Sequence, residues 1–234
     1  MKLKRLFTLF LGILLYGLGI VLSIKANLGI SPWDAFHQGL SALIGVTLGQ
    51  AGIGVGLLIL VFNYWLKEKI GFGTIVNIFG IGLVIDLLFY LDLIPTMNTL
   101  LSGIITIIVS MFTIALASYF YIGAGYGTGP RDGLMVGLVK KTNKKVGLIR
   151  GSIELTVLGI GFMLGGKIGL GTVILGIGIG PVVQLTFRLL RFNVSGVKHE
   201  YLFEKNKSAD YTTEEQSYKE KCETELQFTA QSEI

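Results

Sequence analysis

Six long apolar runs divide the sequence, and short stretches rich in charged and turn-forming residues separate most of them. A helix needs about 20 mostly apolar residues to cross the roughly 30 Å hydrocarbon core of a bilayer. Open sheets leave backbone groups unsatisfied in lipid, and the runs are too long for barrel strands, so they predict helices. The predicted spans are residues 5–25, 47–66, 72–91, 99–122, 146–165 and 170–190.

The second half of the chain repeats the first at a fixed offset of 98 residues. GISPWDAFHQGL at residues 29–40 aligns with GTGPRDGLMVGL at residues 127–138, and KIGFGT aligns with KIGLGT further along. Without any gap, residues 29–89 and 127–187 are identical at 20 of 61 positions. Because Gly, Pro, Asp, Lys and Thr all recur in register, the two halves are predicted to be copies of one structural unit.

Each copy carries three of the predicted spans, which is an odd number of membrane crossings. The second copy must therefore enter the membrane upside down relative to the first, an arrangement found in many transporter folds. The predicted fold is an all-α membrane protein of six transmembrane helices, formed by two inverted three-helix repeats. Repeat one is placed at residues 1–98, repeat two at 99–197, and a polar tail at 198–234.

The distribution of basic residues predicts the orientation of the chain. Cytoplasmic loops of membrane proteins carry an excess of Lys and Arg. With the N-terminus inside, only Lys25 and Lys167 of the apolar body fall outside, and both termini are cytoplasmic. The basic residues placed inside are Lys2, Lys4, Arg5, Lys67, Lys69, Arg131, Lys140, Lys141, Lys144, Lys145, Arg150, Arg188 and Arg191.

The tail differs sharply in composition from the apolar body. Nine of the 15 acidic residues lie in residues 198–234, together with five lysines and the single cysteine, Cys222. A segment with few apolar residues and many mixed charges cannot bury a core, so the tail is predicted to be disordered. The net charge of +5 reflects basic residues at the ends of apolar runs, and it therefore does not indicate nucleic-acid binding.

A short helix is predicted after the first span of each repeat. SPWD at residues 31–34 places serine at the N-cap, proline at the first helical position and aspartate in the first turn, and GPRD at residues 129–132 repeats the pattern. The helices at 32–44 and 130–141 are roughly 18 Å long, too short to cross a bilayer. Each lies at the interface or enters the membrane as a half-helix.

Two interpretations of the paired Pro-x-Asp motifs compete. In the first, each aspartate only stabilises the N-terminus of its own helix, by about 0.3–1 kcal/mol. In the second, the two half-helices direct their N-terminal amides toward a shared cavity that binds a substrate anion or coordinates a cation. Gly- and Pro-interrupted segments at matching positions of two repeats are the best sequence indication of such a transporter site.

The two short helices are not equivalent. The first carries Asp34, His37, Gln38 and Ser41 at three- and four-residue spacing, a polar stripe that the second lacks. A solvated face of an interfacial helix explains this stripe. The alternative is a face that handles protons or solute, because histidine titrates near neutral pH.

Polar residues also occur inside three predicted spans, as Asn77, Asp86 and Glu154. Ionisable groups are costly within a bilayer and are functional candidates for that reason. Glu154 lies near mid-span, although Arg150 one turn earlier offers it a purely structural ion pair. Asp86 lies nearer the outer end, where it can simply face water. The candidate substrate-binding residues are therefore Ser31, Pro32, Asp34, His37, Gln38, Gly129, Pro130, Arg131, Asp132 and Glu154, with Asn77, Asp86 and Arg150 as secondary candidates.

The phrases LGISPWDAFHQGL, GYGTGPRDGLMVGL, GSIELTVLGIGFMLGG and KIGLGTVILGIGIGPVVQL resemble the YczE-like bacterial membrane proteins of the broader YczE/YyaS/YitT grouping. The resemblance covers residues 5–192 and is most specific at Gly-Pro-Arg-Asp-Gly. It implies a multi-pass protein of the bacterial plasma (inner) membrane. It implies little about mechanism, because members are described as uncharacterised membrane proteins or as transporters.

The leading functional hypothesis is a small-solute transporter or permease with its site between the inverted repeats. Its expected partners are the lipid bilayer, an unidentified small solute and a coupling cation; no cofactor, metal or nucleic acid is expected, and no enzymatic activity. One alternative is a non-transporting accessory or scaffold protein, suited by the Lys-rich loop and the charged tail. A more remote alternative is an intramembrane aspartyl enzyme that uses Asp34 and Asp132, whose carboxylates would have to share one proton at close range.

Overall fold

The computed structural model describes residues 2–192, 197 and 199–201, and the rest of the predicted tail lies outside these ranges. Eight α-helices make up most of the described chain and confirm the predicted all-helical fold. Every predicted span and short helix is present, and no helix end differs from its predicted position by more than three residues. The helices are α1 Lys2–Lys25, α2 Pro32–Ile44, α3 Leu48–Trp65, α4 Phe72–Leu91, α5 Leu100–Ala124, α6 Pro130–Thr142, α7 Val146–Met163 and α8 Leu170–Leu189.

Among the described residues, six helices are long and apolar enough to cross a membrane, namely α1, α3, α4, α5, α7 and α8. Many of their large apolar side chains point outward, as Leu155 and Ile177 do with 71% and 74% of their surface exposed. A protein in water rarely exposes apolar surface on this scale, whereas lipid solvates it. The outer surface of the molecule is therefore suited to a bilayer.

Local signals in the sequence fix where the short helix α2 begins and ends. Ser31 is the N-cap, and its side chain accepts a hydrogen bond from the Asp34 amide at 3.3 Å. Gly45 ends the helix in the left-handed conformation, which glycine adopts without steric cost. Thr47 then caps α3 through a reciprocal pair of hydrogen bonds with Gln50, so the turn between the two helices is fully defined.

The helix boundaries repeat at the same offset as the sequence. The helices α6, α7 and α8 each begin and end 98 residues after α2, α3 and α4, respectively. The first helices of the two halves, α1 and α5, pack against each other in opposite directions. A Cβ atom on Gly12 would contact Tyr121, whereas one on Gly19, further along α1, would contact Ile114, earlier in α5.

The short helices pack across the boundary between the halves. The α2 helix lies against α7, and α6 lies against α3. Glycines permit this close approach: a Cβ atom on Gly161 of α7 would lie 2.7 Å from the Phe36 amide nitrogen of α2. On the other side, the Asn63 side-chain amide donates to the Pro130 carbonyl at 2.8 Å, which holds the start of α6 against α3. Each half therefore contributes a short helix that packs against a long helix of the other half.

Two loops cross at matching places and join the halves through backbone hydrogen bonds. The Gly73 amide donates to the Tyr126 carbonyl, and the Gly171 amide donates to the Leu28 carbonyl, both at 2.7 Å. The glycines that follow Leu28 and Tyr126 have φ angles of 105° and 112°, which side chains rarely tolerate. The leading loops of both short helices are thus built in the same way.

The described part of the C-terminal segment lies against the loop before α6. The Glu200 amide donates to the Gly125 carbonyl at 2.8 Å, and its carboxylate pairs with Arg5 at 2.5 Å. His199 Nδ1 accepts a hydrogen bond from the Gly127 amide at 3.3 Å. These contacts attach the beginning of the polar tail to the helical body.

Candidate functional site

A cavity of about 550 Å³ lies between the two halves, and both short helices begin at its wall. Its volume falls within the range of about 300–1,000 Å³ that is typical of small-molecule sites. Eleven of the thirteen candidate residues from the sequence line it. They are Ser31, Pro32, Asp34, His37, Asn77, Gly129, Pro130, Arg131, Asp132, Arg150 and Glu154.

The contribution of α2 to the cavity is a buried carboxylate held by its own cap. The Ser31 hydroxyl donates to Asp34 Oδ2 at 2.5 Å, while the Asp34 amide donates back to the same hydroxyl. Asp34 is only 5% exposed and His37 one turn later only 6%. Both side chains line the cavity. The polar stripe of α2 is thus turned into the molecule at these two positions, not toward bulk solvent.

The contribution of α6 is an arginine and a more open carboxylate. Gly129 stands where α2 has serine, and because glycine has no side chain the first turn of α6 receives no hydrogen bond from its N-cap side chain. The Arg131 guanidinium lies over the Trp33 ring, 4.6 Å from its centroid, in a cation–π contact that joins the two short helices. Its positive charge attracts the carboxylates of both Asp34 and Asp132. Asp132 remains exposed to the cavity.

An ion pair on α7 completes the charged part of the wall. Arg150 Nε and Glu154 Oε1 are 3.2 Å apart, as their spacing of one turn predicts. The Arg150 side chain is 58% exposed and the Glu154 side chain 33% exposed. A pair at this exposure contributes little stability, roughly 0.3–0.5 kcal/mol for helix neighbours. Both groups are therefore accessible from the cavity.

Two candidate residues lie outside the cavity lining. The Gln38 side-chain oxygen accepts a hydrogen bond from the Lys167 amide at 2.8 Å, which attaches α2 to the loop between α7 and α8. The Asp86 carboxylate accepts hydrogen bonds from the Thr47 hydroxyl at 2.5 Å and the Gly49 amide at 2.8 Å. Both side chains thus bind groups that belong to another helix or loop.

The sequence reasoning missed a pair of hydroxyl groups on the cavity wall. Tyr16 of α1 and Ser118 of α5 lie 2.6 Å apart and both line the cavity, beside Tyr121. The only signal in the sequence was a hydroxyl side chain within an apolar run. Gln184 of α8, the counterpart of Asp86, also lines the cavity and is exposed to it.

The remaining wall is strongly apolar, so the cavity combines charged groups at the short helices with hydrocarbon surface elsewhere. Such a site can hold a small solute by its polar groups and exclude water from the rest of it. In the described part of the chain, no cluster of three or more potential metal ligands occurs. The apolar lining residues include Ile20, Val55, Ile59, Ile78, Ile81, Ile85, Ile114, Leu175, Ile179 and Val183.

Comparison with known proteins extends over nearly the whole helical body. The uncharacterised membrane protein YczE of Bacillus subtilis is 36% identical over 179 residues, which cover 76% of this chain and 82% of the relative. An uncharacterised protein of Haemophilus influenzae is 30% identical over 187 residues, covering 80% of this chain and 85% of the relative. YyaS of B. subtilis, also described as uncharacterised, is 32% identical over 167 residues, covering 70% and 83%.

No solved structure matches the chain. The model of one family, described as a family of unknown function (DUF6198), matches residues 3–188 and thus includes all eight helices apart from their outermost residues. The match and the named relatives agree with six apolar helices of membrane-spanning length. The chain is therefore a membrane protein, and it belongs to the DUF6198 family.

Proposed function

We propose that this protein is a transporter of a small solute, with its binding site in the cavity between the two halves. The observation that carries the proposal is the meeting of α2 and α6, one from each half, at one cavity that holds Asp34, Arg131, Asp132 and Glu154. Ionisable groups are costly inside a membrane protein and mark solute and ion pathways.

The arrangement of the halves supports the same function. Transporters built from inverted repeats place their site near mid-membrane, where discontinuous helices point their positive N-termini at the solute. The antiparallel packing of α1 and α5 and the matching starts of α2 and α6 agree with such an inversion. The excess of basic residues supports a cytoplasmic location for both termini in a bacterial cell.

Flux into liposomes tests the proposal directly. The purified protein is reconstituted and assayed against a panel of small anionic, cationic and zwitterionic solutes, with and without a proton or sodium gradient. We expect Asp132→Asn and Glu154→Gln to lower flux about ten- to a hundredfold, the equivalent of one hydrogen bond to a charged group. Both substitutions keep the side-chain volume, so the melting temperature should stay near that of the wild type.

Asp92→Asn is the matched control, because Asp92 carries an exposed carboxylate that pairs with Lys25 and does not line the cavity. It should leave flux unchanged. Wild-type flux in both cavity variants would contradict the assignment of the site. Absence of flux for every solute in the wild-type protein would instead favour an accessory protein, for which the exposed basic segment around Lys140–Lys145 offers a docking surface.

A further inference from the structure

Two equivalent helix pairs are packed in different ways. In the first half, α3 and α4 lie in close contact, and a Cβ atom on Gly56 of α3 would lie 2.9 Å from the Ile78 side chain of α4. In the second half, α7 and α8 do not pack along their lengths, although a short loop joins them. A Cβ atom on Gly147 or Gly180 would meet no described atom within 4 Å.

Asp86 of α4 joins the two helices at the start of α3. Its carboxylate binds the Thr47 hydroxyl and the Gly49 amide, the first groups of α3, at 2.5 and 2.8 Å. A carboxylate at a helix N-terminus satisfies orphan amides and is favoured by the helix dipole. This junction lies at the end of α3 and α4 that is remote from their connecting loop, where an ordinary pair of helices is free to separate.

The corresponding end of α7 and α8 is open to the cavity. Arg150 and Glu154 of α7 line the cavity together with Gly180 and Gln184 of α8. Because a short loop joins the two helices at their other end, the gap widens toward the start of α7 and the end of α8. One mouth of the cavity therefore lies between α7 and α8, while the equivalent passage between α3 and α4 is shut.

The sequence of α7 and α8 is nevertheless suited to close packing. In α3 and α4, a small residue faces a large one, Gly56 against Ile78. The residues 98 positions later are Glu154 and Gly176, so the large and small positions are exchanged. A Cβ atom on Gly176 would meet no described atom within 4 Å, which leaves room for the Glu154 side chain if the helices approach.

We propose that the structure is one of two states of a gated cavity, closed at α3–α4 by Asp86 and open at α7–α8. In the other state α7 and α8 pack through Gly147, Gly180 and the Glu154–Gly176 position, and the Asp86 junction opens. The inference rests on the proposed transport function, because it supplies the alternating access that transport by a site between repeats requires. With both termini in the cytoplasm, the open mouth faces the cytoplasm.

Cysteine cross-linking in native membranes tests the second state. In a Cys222→Ser background, Gly147→Cys is combined with Gly180→Cys, the equivalents of Gly49 and Gly82, which touch in the first half. Both positions are open, so the substitutions should not disturb folding. A disulfide forms only when the two Cα atoms come within about 7 Å. We therefore expect slow cross-linking under mild oxidation, as the α7–α8 gap closes intermittently.

Removal of the Asp86 junction should shift the balance between the two states. Asp86→Ala abolishes both hydrogen bonds to α3, so we expect the α7–α8 cross-linking rate to rise about fivefold. Thr47→Cys combined with Asp86→Cys should cross-link rapidly in the same background, because the parent side chains are in contact.

Leu155→Cys combined with Ile177→Cys is the matched control pair on α7 and α8. Their equivalents in the packed pair, Leu57 and Phe79, are exposed, so these cysteines should stay apart even when the gap closes. If the Gly147→Cys/Gly180→Cys pair cross-links no faster than this control, with or without Asp86, the gap is fixed and the gate is refuted. Cross-linking without measurable flux would retain the gate and reject transport, whereas flux without cross-linking would do the reverse.

Discussion

The two short helices occupy matching places in the two halves and differ in their first turn. In α2, Ser31 caps the helix and binds Asp34, whose carboxylate is almost completely buried. In α6, Gly129 leaves the corresponding Asp132 without such a partner at the cap, and this carboxylate is exposed to the cavity. One copy of the duplicated motif thus holds its carboxylate within the cap, while in the other copy the carboxylate faces the cavity.

The loops that lead into α2 and α6 should respond equally to substitution, because they are built in the same way. Gly29→Ala and Gly127→Ala should each lower the free energy of unfolding by at least about 1–3 kcal/mol, because both residues have positive φ angles. Added Cβ atoms would also lie 2.5 Å from the Gly169 amide nitrogen and 2.8 Å from the Gly71 Cα. Thermal unfolding in detergent measures the loss.

Gly54→Ala is the control for these loop variants, since a Cβ atom on this helical glycine would meet no described atom within 4 Å. It should be neutral or slightly stabilising. A large loss in only one of the two loop variants would show that the halves are joined unequally, contrary to the reciprocal hydrogen bonds.

The first turns should respond unequally to loss of the carboxylate. Asp34→Ala should lower the free energy of unfolding by about 1–2 kcal/mol, because it leaves the Ser31 hydroxyl without its partner. Asp132→Ala should cost less, about 0.3–1 kcal/mol, as expected for a first-turn charge that is not bound by a cap side chain. A double-mutant cycle with Ser31→Ala checks the assignment: the two side chains should be coupled, whereas Ser31 and Asp132 should not be.

Converting the N-cap of α6 into that of α2 tests whether the absence of serine leaves the Asp132 carboxylate free. The backbone at Gly129, with φ −61° and ψ 153°, accommodates serine, and Asp132 Oδ2 would lie 3.4 Å from the new Cβ atom. Gly129→Ser should stabilise the protein by a few tenths of a kcal/mol, roughly the difference between serine and glycine N-caps. If a free Asp132 carboxylate serves the solute, the same variant should transport more slowly. Unchanged flux would show that capping and solute binding at Asp132 are compatible.

The smallest expected effect concerns His199, which accepts a hydrogen bond from the loop before α6. Burial, assisted by the positive charge of Arg5, lowers the pKa of this histidine below its ordinary value of 6.5. Neutral His199 accepts the hydrogen bond from Gly127, so the contribution of the contact is complete above about pH 6.5 and is lost as pH falls through the lowered pKa. His199→Ala should remove this part of the acid sensitivity, measured as protease accessibility of the tail between pH 5 and 8.

The helices could be predicted closely because their signals are local. Runs of apolar residues have the length a bilayer requires, and Pro32 and Gly45 delimit α2 through their own backbone preferences. The repeat supplied a second copy of each boundary. The repeat also explains why 11 of the 13 candidate residues line one cavity. The matched Pro-x-Asp motifs occupy equivalent positions in the two halves, and both positions lie at the cavity.

The residues that escaped prediction depend on contacts between distant parts of the chain. Asp86 resembles any carboxylate near the end of a span, and only the packing of α4 on α3 shows that it caps a neighbouring helix. Tyr16 and Ser118 meet across 102 residues of sequence, with no motif to relate them. The different packing of α3–α4 and α7–α8 was not predicted either. Arg150 and Glu154 of α7 replace Gly52 and Gly56 of α3, but such substitutions do not show whether two neighbouring helices separate.

The exchange of short helices between the halves has a consequence for biogenesis. The α2 helix packs against α7, which begins at Val146, about 100 residues after α2 ends. At about 5–20 residues per second, the ribosome needs on the order of 5–20 s to produce that partner. During this interval Asp34 and His37 belong to a helix whose final neighbour does not yet exist. The final packing of α2 therefore forms only after α7 has been synthesised and inserted.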